Sequence, residues 1–98
     1  MKTRMTARGE RSLTAIGERL RLTREALGLS QIAFARAAKI SASSYNQYEK
    51  GGTRPSIDQA IRLCDAHRIT LDWIYMGDNS GLKTQLHEAI KALRQARP

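Results

Sequence analysis

Residues 29–56 read LSQIAFARAAKISASSYNQYEKGGTRPS, and the reading of this stretch decides the fold. Two short helical patterns lie a tight turn apart. Each opens on a serine, a residue type that caps helix N-termini by accepting a free backbone N–H. The first begins at Ser30 and Gln31 and carries apolar Phe34, Ala35 and Ala38 at helical spacing. The second begins at Ser41, turns Tyr45 and Tyr48 inward, and closes near Glu49, Lys50 and Gly51. A second helix this short, polar on its outer face, has the dimensions to lie in a groove.

Working outward, Ile16, Leu20 and Leu27 mark one face of a preceding helix, which should start near Thr14 and stop at Gly28. The pair in the quoted stretch then spans about 31–38 and 42–50, and residues 51–55 form a loop. Beyond it Ser56 is placed to cap a fourth helix, with Gln59 as capping-box partner and Asp58 near the positive dipole end. Its buried face is expected to hold Ile57, Ala60, Ile61 and Cys64, with Leu63 alongside. Thr70 should cap a short fifth helix through Leu71, Trp73, Ile74 and Met76, stopped by Gly77. After a turn-rich linker, a last helix at about 82–96 carries a narrow stripe of Leu82, Leu86, Ile90 and Leu93. Alternating β-branched runs are absent, so the fold class is all-α: five helices plus a C-terminal one. The domain divisions are a basic arm at 1–13, a helical core at 14–77, and linker plus tail helix at 78–98.

Charge is distributed unevenly. The chain holds 17 basic and 9 acidic side chains, for a net +8. Lys2, Arg4, Arg8 and Arg11 face only Glu10 in the arm, which should be mobile and free to meet phosphates. Residues 28–55 keep Arg36, Lys39, Lys50 and Arg54 against Glu49, whereas Asp58, Asp65, Asp72 and Asp78 all lie beyond them. Such polarity suits a phosphate-facing surface, though a solvated cationic face would have the same composition. The single cysteine excludes an intrachain disulfide and fits a reducing compartment. The N-terminus has no apolar segment of a secretory signal, and no run approaches the roughly 20 apolar residues that span a bilayer. A cytoplasmic location follows as the expectation, with no membrane partner.

At this point the chain resembles the phage-repressor and Cro-type helix-turn-helix family, also called lambda-repressor-like or XRE. The resemblance runs from about Ile16 to Gly77. It rests on "GLSQ" (28–31), Ala35, "IS" (40–41), Glu49-Lys50-Gly51, Pro55-Ser56 and "ITLDWIYMG" (69–77), in that order. It implies a DNA-binding regulator, most simply a repressor, that docks its third helix in the major groove as a homodimer on double-stranded DNA. Base contacts are implied at Ala42, Ser43, Asn46 and Gln47, which share one side of that helix opposite the tyrosines. Asn and Gln can pair bidentately with adenine, and a short Ala or Ser permits close approach. Phosphate contacts are implied at Gln31, Ser41, Lys50, Thr53 and Arg54, and a structural ion pair at Arg24 and Glu49. Gln31 in this family also braces a polar residue of the reading helix. One departure stands out. The family places Gly at the end of helix two, where φ is positive, and this chain has Lys39.

The Leu82, Leu86, Ile90, Leu93 stripe is either a seam for the dimer or a face packed on its own domain; its narrowness favours the seam. Cys64 reads as a small core residue. His67 and His87 lie twenty residues apart without other donors at ligand spacing, so no metal is expected. No nucleophile, base and acid constellation and no Gly-rich phosphate loop is present, so neither an enzyme nor a cofactor is expected. The alternatives are the antitoxin of a toxin–antitoxin pair, which would add a protein partner for the tail helix, and a basic RNA- or membrane-surface module. The last would need exposed stacking aromatics or a leucine-bearing interfacial helix.

Overall fold

A computed structural model describes residues 7–96, and these are all-helical, without strands. The elements are α1 (Ala7–Glu10), α2 (Leu13–Ala26), α3 (Gln31–Ala37), α4 (Ala42–Lys50), α5 (Ile57–His67), a π-helical turn (Asp72–Met76) and α6 (Thr84–Ala96). Four helices open alike. Ser12, Ser30, Ser41 and Ser56 each accept a hydrogen bond from the backbone N–H three residues on, at 3.0–3.2 Å. Each serine thereby satisfies one of the orphan donors of a helix start. Three of these caps were legible in sequence. Ser12 was not, and it moves the start of α2 one residue ahead of Thr14.

One core joins the elements. Ile16 and Leu20 of α2, Phe34 of α3, Tyr45 of α4, Leu63 of α5, and Trp73 and Ile74 of the π turn are all essentially inaccessible to solvent. Trp73 donates its indole N–H to Thr23 at 2.9 Å, so its polar edge is satisfied inside. His67 lies flat on Phe34 with ring centroids 3.9 Å apart, and its Nε2–H donates to the Phe34 carbonyl at 2.9 Å.

Gly17 sets the approach of α2 to α4. A Cβ on it would sit 2.5 Å from the Tyr48 carbonyl oxygen and 2.7 Å from that of Glu49. Helix α4 therefore rests directly on the α2 backbone.

The turn between α3 and α4 does contain a left-handed residue, Lys39, with φ 60°. The strain has a brace. Arg62 reaches from α5 to donate to the Ala38 carbonyl at 3.0 Å and, longer, to that of Lys39 at 3.5 Å. Lys39→Gly should remove the Cβ penalty and raise stability by about 0.5–1 kcal/mol, read as an increased denaturation midpoint. A lower midpoint would mean that the lysine side chain contributes something its exposure does not reveal.

Four expectations are corrected. Of residues 1–12, expected as a mobile basic arm, Ala7–Glu10 form a short helix; Lys2 and Arg4 lie outside the described residues. The cause is Arg19, a nearly inaccessible guanidinium on α2. It donates to the Glu10 carboxylate at 2.9 Å, to the Glu10 carbonyl, and to the carbonyls of Trp73 and Ile74 at 2.7 and 2.9 Å. The buried face of α5 is also rotated: Ala60, Leu63 and His67 point inward, whereas Ile57 and Ile61 are exposed. His67 supplied the inward volume that an apolar count had assigned to the isoleucines. Gln59 in turn accepts from the Tyr48 hydroxyl instead of bonding back to complete the capping box. Finally, the tail stripe packs on its own domain. Leu82 and Ile90 are buried, Leu86 and Leu93 lie half-buried against the core, and α6 rests on α2. Arg94 of α6 stacks over Trp73, 5.6 Å from the ring centroid.

Candidate nucleic-acid interface

Helix α4 presents two faces. Tyr45 and Tyr48 anchor the inner one, with Tyr45 packed edge-on to Tyr48 and tilted against Phe34. The outer face carries exposed Ala42, Ser43 and Gln47, with Asn46 half-buried at its edge. The sequence-derived base-contact set is thus on one side of one helix. Gln47 lies back over Gly52, where any Cβ would overlap its Oε1.

Beneath this face lies a connected polar network. Arg24 grips Glu49 with two bonds, Nε to Oε2 at 2.7 Å and Nη2 to Oε1 at 3.2 Å. Its third nitrogen donates to the Leu29 carbonyl at 3.0 Å, which fixes the loop into α3. Tyr45 donates its hydroxyl to Glu49 Oε2 at 2.6 Å, and Gln31 donates to Oε1 at 2.9 Å. Gln31 in turn accepts from Asn46 at 3.1 Å. The Glu49 side chain is 6% exposed. Its burial pushes the carboxyl upward, but the bonds from Arg24, Tyr45 and Gln31 outweigh that and hold it below the ordinary carboxylate value.

The expected ion pair is therefore present, and larger than expected: Tyr45 and Gln31 belong to it. A tyrosine four residues before a glutamate on one helix was the available signal. Gln31, expected on phosphate, spends its carbonyl and one N–H inside this network, which leaves its backbone N–H at the α3 start for an anion.

Lys50 at the end of α4 and the loop residues Thr53 and Arg54 are exposed beside the outer face. Arg54 also donates to the Arg11 carbonyl at 2.8 Å, which ties the loop to the entry of α2. Ser41 keeps its hydroxyl proton while its oxygen caps α4. Two cations missing from the expected set stand nearby. Arg36 and Lys39 line an open cleft with Ile32, Ser41 and Ala42 at the turn between α3 and α4. The charge count had already placed them in this segment. Among the described residues no group of His, Cys, Asp and Glu could hold a metal ion, and no helix is long and apolar enough to cross a membrane.

Two serine-capped short helices, a left-handed turn and a polar outer face on the second make up the site, and the helix-turn-helix family profile matches residues 20–74. The chain belongs to the lambda-repressor-like helix-turn-helix family. It is similar to the HTH-type transcriptional regulator DicA of Escherichia coli (strain K12), at 36% identity over 63 residues, 64% of this chain. The match takes in 47% of DicA, so the chain spans about half the length of this curated relative. No solved structure gives a significant match.

The titratable groups of this family core imply an acid-labile fold. Burial holds His67 below its ordinary value of 6.5, against the opposing effect of its bond to Phe34. The unfolded chain therefore takes up this proton first, and stability falls as pH drops below about 6.5. Glu49 is also depressed, so its contribution is present above the ordinary 4.5 and is lost as pH falls below that. A melting series should show both stages, and His67→Gln should abolish only the upper one. A flat profile between pH 7 and 5 in the unmodified chain would contradict the buried neutral imidazole.

Proposed function

We propose that the protein is a sequence-specific double-stranded DNA-binding transcriptional regulator, acting most simply as a repressor by occupying DNA that polymerase needs. The observation that carries this reading is the outer face of α4: Ala42, Ser43, Asn46 and Gln47 on one side, flanked by Lys50, Thr53 and Arg54 and backed by a buried network. Base edges are read by such short polar side chains, and phosphates are gripped by the flanking cations and backbone amides. The aromatics support it from the other direction. Phe34, Tyr45, Tyr48 and Trp73 are buried, and Tyr75 is half-buried against the core with its hydroxyl on the Pro55 carbonyl, so the aromatics are spent on packing instead of on stacking single-stranded RNA.

One such unit covers about one half-site, so two copies about 34 Å apart on adjacent turns are the simplest bound form. With Leu82 and Ile90 spent in the core, α6 has only the half-buried edge of Leu86 and Leu93 left to offer a partner.

Selection of bound duplexes from a random pool at stated salt tests the reading. A recurrent motif is expected, and Asn46→Ala should weaken the selected site by about 1–3 kcal/mol while random DNA is barely affected. Equal losses on both would move Asn46 to phosphate positioning.

A further inference from the structure

We propose that Glu49, which does not itself face the groove, dictates the base that Asn46 accepts. The inference rests on the reading of α4 as the groove helix and concerns the direction of three hydrogen bonds. An ionised carboxylate can only accept. Glu49 is held ionised by Arg24, so the Gln31 group 2.9 Å from Oε1 must be its NH2 end. The carbonyl end of Gln31 then faces Asn46, and an oxygen there can only accept. Asn46 must answer with its own NH2, at 3.1 Å. If Asn46 turned over, two carbonyl oxygens would meet. The polarity of both amides is thus set by a buried charge three residues beyond Asn46 in the chain.

What remains on Asn46 is one Nδ2–H and Oδ1, which takes no hydrogen bond from the described residues. This pair is complementary to the adenine edge, which offers N7 as acceptor and N6–H as donor. Guanine offers two acceptors, N7 and O6. It would need both Nδ2 protons, one of which is committed to Gln31, and its O6 would face Oδ1. Thymine and cytosine can take one bond each. An unbraced asparagine has no such restriction, because it can aim both N–H groups at guanine. Glu49 and Gln31 are therefore positioning residues for specificity, and adenine is the base they select.

The test is selection from a random duplex pool with the full chain, run for the unmodified protein, Asn46→Ala, Glu49→Gln and Gln31→Met. The position read by Asn46 is the one whose preference vanishes in Asn46→Ala. There the unmodified protein should favour adenine over guanine by about tenfold or more. In Glu49→Gln, Gln31 is free to turn over, and guanine should rise to within about threefold of adenine at that position alone. Gln31→Met removes the relay while keeping the Arg24–Glu49 pair. It should give the same relaxation, and it carries the test if Glu49→Gln does not fold. A purely structural role would lower affinity evenly and leave the adenine-to-guanine ratio unchanged, which would overturn the proposal. So would a guanine preference in the unmodified protein. A pool with no preference at any position would overturn the groove reading itself, a result distinct from a motif that merely lacks adenine there.

Discussion

Arg24→Ala should destabilise the fold by about 3 kcal/mol at neutral pH. The substitution removes three donated bonds, two to Glu49 and one to the Leu29 carbonyl. It leaves a nearly inaccessible carboxylate without its counter-ion, and breaking a buried pair from one side costs about 3–5 kcal/mol. The lower end applies because Tyr45 and Gln31 still donate to Glu49. The pH dependence supplies an independent sign. With Arg24 present, the Glu49 carboxyl is depressed, and its stabilisation is lost on acidification. With Arg24 gone, burial dominates and the carboxyl moves up. The variant should then lose less stability than the parent between neutral pH and the range below 4.5, so that the two denaturation curves converge. A double-mutant cycle with Glu49→Ala completes the measurement. Additive losses would show that the two side chains act independently despite their 2.7 Å contact.

Gly17→Ala should cost about 3 kcal/mol, the severe end for adding one methyl group to a packed site. The obstacles are backbone oxygens, at 2.5 and 2.7 Å from the new Cβ, so no rotamer change relieves them. Helix α4 has to move away from α2, carrying Asn46 and Gln47 with it. Affinity for a selected duplex should therefore fall further than stability alone requires, measured at a temperature where the variant is fully folded. Unchanged affinity in a destabilised but folded variant would mean that α4 moves as a unit and re-docks. A neutral effect on stability would refute the close approach itself.

Much of this architecture was legible because local chemistry and global packing agreed. The serine caps at 30, 41 and 56 and the inward tyrosines of α4 each left a signal at short spacing, and the Arg24–Glu49 pair, 25 positions apart, was legible through the family resemblance. What stayed hidden depended on contacts between residues far apart in the chain. Arg19 resembled any helix-surface arginine, and only the carbonyls of Trp73 and Ile74, more than fifty positions on, make it a buried strut. Gly17 resembled a weak point in a helix until α4 was laid across it. On α5 the count of apolar side chains favoured Ile57 and Ile61, yet stacking on Phe34 turned His67 inward and rotated the face. The tail stripe stayed ambiguous for a related reason. One apolar residue per turn describes a seam between chains and a seam within one equally well, and periodicity has no term for which partner is nearer.

The Arg19 strut has a consequence for how the two ends of the chain behave. Glu10 holds the outer side of its guanidinium, the π turn holds the inner side, and Trp73 of that turn forms the floor on which Arg94 of α6 lies. N-terminal and C-terminal segments thus share a keystone, though nothing printed in the sequence links them. A truncation that takes away residues up to 11, intended to strip cationic charge from a DNA-facing arm, would also pull the outer stone and loosen the seat of the tail helix. Removal of residues 1–6 leaves the keystone in place, and only that shorter cut separates the electrostatics of the arm from the integrity of the arch.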